Sequence, residues 1–220
     1  MKTKLLLGFF LMAGILSCEK NENKSDVPKP KKADYFPLGT GSYWVYNTYI
    51  IDSLGNETLK SENDTLSIIG DTTINGNTYS IFYGKRYGVS TSLEKRFYRD
   101  SLGYIVNEEG KIVFSSDNFT DTLDIKYTPD MENPMYYQFK MMKKVEDKIT
   151  LPAGVFDSVL NSRLSVYYYN PLIEHLRDND YLYAPNVGKI LWQYFYYGGF
   201  VNRKSYIEER LVAYKIAETV

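Results

Sequence analysis

Most of this chain is written in short runs of aromatic and β-branched residues separated by turn signals. Almost none of it carries the 3.6-residue period of a helix. The first run is Ser42 to Ile51, seven of whose ten residues are Tyr, Trp, Val or Ile. Glu57 to Ile69 follows, with a break expected at residues 61–63. Asn75-Gly76, between Thr72–Ile74 and Asn77–Tyr83, predicts a two-residue hairpin, because both residue types tolerate positive φ. Further strands are expected over Glu94–Arg99, Tyr104–Val106, Lys111–Ser115 and Phe119–Tyr127. The second half adds Tyr136–Val145, Lys148–Leu151, Val155–Tyr169, Gly188–Tyr197 and Lys204–Ile216. Asp-Ser-Leu-Gly occurs at 52–55 and again at 100–103, each time between two strand signals. It reads as a turn used twice.

Short connections between consecutive strands require antiparallel pairing, since parallel neighbours need long crossovers. In Gly188–Tyr197 one face carries Ile190, Trp192, Tyr194 and Tyr196, and the other Lys189, Leu191, Gln193, Phe195 and Tyr197. With apolar residues on both faces, a flat sheet with one wet side fits poorly, and a curved sheet or sandwich fits better. The fold class expected is all-β: a curved antiparallel sheet or half-barrel of about ten strands. At most one short helix is expected, a turn over Leu172–Leu176 after Asn170-Pro171.

The N-terminus has a different character. Lys2 and Lys4 precede an unbroken apolar run from Leu5 to Leu16, too short to span a bilayer, which needs roughly 20 residues. It reads as a secretory signal over residues 1–17. The run ends Ile15-Leu16-Ser17-Cys18, and Cys18 is the one cysteine of the chain. This resembles a bacterial lipobox, and the resemblance implies that Cys18 is lipidated and becomes the first mature residue. Residues 18–33 then form a charged tether with two prolines and no aromatic residue, too polar to fold. Residues 34–220 form a single β-rich domain. The tether has no Asp after Cys18, which in the sorting pattern of Gram-negative lipoproteins favours the outer membrane. The partners expected are the membrane, reached through Cys18, and the lipoprotein-processing and sorting machinery.

Several chemistries find no support. A net charge of −1 without a basic stripe argues against nucleic acid. One Cys and one His exclude a disulfide framework and Cys- or His-cluster metal sites, so no metal or cofactor is implied. His175 has no nucleophile motif to serve, and Gly39-Thr40-Gly41 precedes a strand rather than a helix, unlike a phosphate cradle. The acidic stretch of Asp117, Asp121, Asp124, Asp130 and Glu132 lacks calcium-loop spacing and reads as solvated loop. No pair of carboxylates stands out, and an enzyme is not expected.

Tyrosine is 22 of the 220 residues. Tyrosine is a favoured strand residue, and consecutive tyrosines such as Tyr167-Tyr168-Tyr169 point to opposite faces, so such a run is not one platform. The candidate ligand face is the aromatic side of two strands: Trp44, Tyr46, Trp192, Tyr194 and Tyr196. A second pattern is Asp-Ser/Thr followed by an apolar residue or Thr. It resembles the O-glycan acceptor motif of some Gram-negative gut bacteria, and its six copies are several-fold more than composition gives by chance. The acceptors would be Ser53, Thr65, Thr72, Ser101, Thr122 and Ser158.

The segment Tyr35-Phe36-Pro37-Leu38-Gly39-Thr40-Gly41-Ser42-Tyr43-Trp44-Val45-Tyr46 resembles the opening of an uncharacterised family of Gram-negative, Bacteroidota-type lipoproteins. These begin Phe-Pro-Leu-x-x-Gly-x-x-Trp-x-Tyr. Leu151-Pro152-Ala153-Gly154-Val155-Phe156 and Tyr183-Ala184-Pro185-Asn186-Val187-Gly188-Lys189-Ile190 look like that family's second and third landmarks. The resemblance implies a curved antiparallel sheet similar to the half-barrel of lipoprotein carriers, and brings no activity. The function expected is an outer-membrane-anchored lipoprotein with a non-catalytic binding or structural role, holding a hydrophobic or glycan ligand on the concave aromatic face. The alternatives are an envelope glycan hydrolase, which needs two facing carboxylates in a cleft, and a lipid or lipoprotein carrier or acceptor.

Overall fold

A computed structural model describes residues 34–85, 92–169, 176–195 and 205–217. The leader, Cys18 and the tether, His175 and Tyr196 lie outside these residues. Of the helical turn expected over Leu172–Leu176 only Leu176 is described, and it opens a strand.

The described residues contain no helix. The N-terminal half runs through β1 (Tyr43–Ile51), β2 (Glu57–Ile74), β3 (Asn77–Lys85), β4 (Leu93–Ser101), β5 (Tyr104–Asn107) and β6 (Ile112–Ser115). The C-terminal half adds β7 (Asp124–Thr128), β8 (Tyr136–Lys144), β9 (Ile149–Leu151), β10 (Gly154–Phe156), β11 (Leu160–Tyr168), β12 (Leu176–Ala184), β13 (Gly188–Phe195) and β14 (Tyr206–Lys215). Twelve strands make one antiparallel sheet in the order β6-β5-β4-β3-β2-β1-β14-β13-β12-β11-β8-β7, and β9 and β10 form a separate hairpin. The large sheet curls until β6 comes against β11, where Ser162 Oγ donates to the Val113 carbonyl at 3.1 Å. The architecture is the expected all-β class, an almost closed barrel of twelve strands rather than about ten.

Turn chemistry explains much of this order. Asn75 and Gly76 have φ of 48° and 77° and join β2 to β3 as expected. The repeated Asp-Ser-Leu-Gly takes two shapes. At the second copy Leu102 and Gly103 both have positive φ and make a two-residue hairpin. At the first, Asp52 Oδ1 accepts from the Leu54 and Asn56 amides and holds a longer loop.

Three expectations change. The break at residues 61–63 is a bulge in one continuous strand, centred on Asn63, whose φ is 55° and whose amide donates to Asn47 Oδ1 at 3.0 Å. The strand expected from Phe119 begins only at Asp124, because Ser115 Oγ and Asn118 Oδ1 each accept two backbone amides and wind residues 115–121 into turns. The strand expected over Val155–Tyr169 is cut in two at Ser158, whose φ is 54°.

The barrel is plugged from its N-terminal side. Phe36 lies against Phe82, Tyr98, Phe114 and Tyr183, with ring centroids 5.5–6.0 Å apart. Leu38 packs beside it, and its carbonyl accepts from Ser80 Oγ at 2.8 Å. The β9–β10 hairpin closes another side, placing Ile149, Leu151, Ala153 and Phe156 on the main core. The Ala153 amide donates to the Leu211 carbonyl at 3.2 Å. Burial of these rings away from water is the main favourable term holding the curl.

Candidate functional site

Trp44, on β1, is almost fully buried, and its indole N–H donates to the Val187 carbonyl at 2.6 Å. Two positions along the strand, Tyr46 is also buried, and its hydroxyl donates to the Lys189 carbonyl at 2.8 Å. Trp192 is buried on β13, stacked on Tyr194 at 4.6 Å and on Tyr181 at 5.8 Å. Tyr194 is half-buried. Four of the five candidate face residues therefore lie within the described structure, and three of them serve the core as well as any ligand.

Strict alternation places Lys189 opposite Trp192, and the structure overturns this. Between the pairs Leu182–Leu191 and Tyr183–Lys189 the register slips by one residue, at Ile190. The bulge brings the Lys189 ammonium 4.8 Å from the Tyr46 ring centroid and 5.8 Å from that of Trp192. Glu209, the cross-strand neighbour of Trp192, accepts from the same ammonium at 3.1 Å.

Next to this packed wall the curl leaves a cavity of about 430 Å³. Its apolar lining includes Phe36, Trp44, Phe82, Tyr98, Tyr183 and Trp192. Lys95, Glu108 and Glu109 also line it and are exposed, so it opens to solvent on their side. Two inner cations share the lining, Arg96 from β4 and Lys140 from β8. Arg96 donates through Nη2 to the Lys85 carbonyl at 3.2 Å, while its buried Nε makes no hydrogen bond. Sequence reasoning missed both cations. Each is one Lys or Arg among 26 and becomes part of a site only when β4 and β8 face each other across the curl.

Burial dominates the electrostatics. It pushes the hydroxyls of Tyr46 and Tyr183 well above the usual tyrosine range, with Glu209 adding to the effect at Tyr46 and Arg96 opposing it at both. It pulls the Lys140 ammonium below the usual lysine range, and Asp124, its cross-strand partner, offsets part of that. Among the described residues the two most buried carboxylates are both engaged: Glu209 with Lys189, and Glu208 with Arg210 and Gln193. Neither is left free to act as a general acid.

Elsewhere, Tyr127, Tyr137, Phe139, Tyr167 and Tyr169 stack on one face of β7, β8 and β11, with neighbouring ring centroids 5.2–6.0 Å apart. Alternate tyrosines of three strands thus share a face, although consecutive ones do not. The six O-glycan acceptors are exposed (Thr65, Thr122, Ser158) or half-buried (Ser53, Thr72, Ser101). Among the described residues no three His, Cys, Asp or Glu side chains are grouped to hold a metal ion, and Asp121 and Asp130 are engaged in loop hydrogen bonds.

No family model and no curated protein matches the chain. Similar solved structures include a candidate lipoprotein from Parabacteroides distasonis, 15% identical, and a candidate exported protein with a YmcC-like fold from Bacteroides fragilis, 13% identical. Each has a TM-score of 0.46, with 83% of this chain and 99% of the other covered. Likeness at this level assigns neither a family nor an activity.

Proposed function

We propose that this chain is an envelope lipoprotein, held at the outer membrane by lipids on Cys18, and that its β-barrel is a non-catalytic binding module. One observation carries the binding role: a cavity of about 430 Å³, open to solvent and walled by aromatic rings together with charged side chains, beside a packed core. Cavities of roughly 300–1,000 Å³ with apolar walls and a few polar groups are typical small-ligand sites. Trp44, Tyr46 and Trp192 of the candidate face then form part of the cavity's wall rather than an open platform, with Tyr194 stacked behind Trp192, and Tyr196 continues the same alternation along the chain.

The test is titration of the protein with N-phenyl-1-naphthylamine, a neutral dye that fluoresces in apolar sites. Saturable binding of one dye per chain, weakened by Phe82→Trp, which adds bulk to the cavity wall, supports the reading. No saturable binding contradicts it.

A further inference from the structure

Four cations line this cavity: Lys189 is paired with Glu209, Lys95 is exposed to solvent, and the two inner ones, Arg96 and Lys140, make no ion pair among the described residues. Lys140 Nζ has no ion pair within 4 Å and no hydrogen bond among the described residues, although the residue is half-buried. Arg96 spends one Nη on a backbone carbonyl and has no carboxylate partner. Other partly buried cations of this protein are treated differently: Lys189 holds Glu209, and Lys85 holds Asp64. Of the acids that share the lining, Glu109 pairs with Lys111, and Glu94 and Glu108 make no ion pair with either cation. Keeping a charge partly out of water costs free energy unless something pairs with it. Two such charges in one aromatic cavity describe a site that is completed by an anion.

Resting on the binding role proposed above, we infer that the cavity takes a small organic anion. Its carboxylate, sulfonate or phosphate sits between Lys140 and Arg96, and its apolar body lies against Phe36, Phe82, Tyr98 and Tyr183. The lowered basicity of Lys140 accords with this, because an arriving anion would restore the charged form that burial disfavours. Asp124, opposite Lys140 in the sheet, is the competing partner, and the test addresses it directly.

The experiment compares two dyes with related ring systems on the full chain: anilinonaphthalene sulfonate, an anion, and N-phenyl-1-naphthylamine, its neutral relative. Lys140→Met should weaken the sulfonate about tenfold, the cost of losing a charge-assisted hydrogen bond, and the neutral dye less than twofold. Lys140→Arg should recover most of the loss. The melting temperature of Lys140→Met should stay level or rise, because a poorly paired charge has gone. In the unaltered protein, decanoate should displace the neutral dye at concentrations about tenfold lower than decan-1-ol. Equal losses for both dyes, or an unchanged sulfonate affinity, overturn the anion assignment. A fall in melting temperature assigns Lys140 to a structural pair with Asp124 and overturns it as well, as does equal displacement by decanoate and decanol. If neither dye binds the unaltered protein, the binding role itself fails.

Discussion

The indole N–H of Trp44 reaches the carbonyl oxygen of Val187 at 2.6 Å, across 143 positions of sequence. Around this contact the three landmark segments meet. A Cβ on Gly188 would lie 3.2 Å from Trp44 Nε1 and 3.2 Å from Pro37 Cδ. Asp34 and Asn186 exchange hydrogen bonds: the Asn186 amide donates to the Asp34 carbonyl at 2.6 Å, and the Asp34 amide donates to Asn186 Oδ1 at 3.1 Å. Phe156, from the remaining landmark, packs in the same core. The motifs are joints that set the curl of the sheet, and the cavity is the space this curl leaves.

Trp44→Phe keeps a ring in the core and removes the donor. The Val187 carbonyl is then left without its partner, at a cost of about 1–3 kcal/mol. Urea unfolding should show the loss as a lower midpoint with an unchanged slope. A midpoint equal to that of the unaltered protein would contradict the role given to this hydrogen bond.

Gly188→Ala and Gly76→Ala separate strain from crowding. Both glycines have positive φ, 95° and 77°, so each alanine pays a backbone cost of order 1 kcal/mol. Only at Gly188 would the new methyl also press on Trp44 and Pro37, while Gly76 faces open space. Gly188→Ala should be the more destabilising by at least about 1 kcal/mol, measured by thermal melting. Equal effects would mean that the joint is loose.

Alkaline pH reads the buried tyrosines. Folding raises the pKa of Tyr46 and of Tyr183 above the unfolded value, so the folded state keeps protons that the unfolded state gives up. By linkage this contribution is fully present below about pH 10 and is lost as pH rises beyond it. Ultraviolet titration should show part of the tyrosine absorbance appearing only together with unfolding. Smooth ionisation of all 22 tyrosines in a still-folded chain would contradict this burial.

How much of this was legible in the sequence depended on where the determining contacts lie. The β2–β3 hairpin was readable because Asn75-Gly76 carries its own turn chemistry. β12 was not, because Leu176 to Asp180 has a loop-like composition. Its acids are satisfied from β11: Asp178 by Ser165 and Arg163, Asp180 by Arg163 and Asn161. Strand propensity does not capture pairing of this kind. Trp44 and Trp192 could be named from alternation, but the slip at Ile190 that turns Lys189 toward them could not. The same holds for Arg96 and Lys140, brought to one cavity by a curl that no local signal encodes.

The N-terminal reading and the glycan motif share one measurement. The intact mass of the mature protein from its native membrane should correspond to a chain beginning at a triacylated Cys18, plus sugar mass. Removing the exposed acceptors with Thr65→Ala, Thr122→Ala and Ser158→Ala should lower the sugar mass in steps. A mass equal to the lipidated polypeptide alone excludes the glycans, and Cys18→Ser should abolish the acylated species.

If the barrel is a container, native mass spectrometry of the protein extracted from its own membrane will find it loaded. The expected species is heavier than the chain by one small molecule, released in negative-ion mode as an organic anion and lost in Lys140→Met. A protein that arrives empty from every preparation, and binds neither naphthalene dye, would contradict the container role.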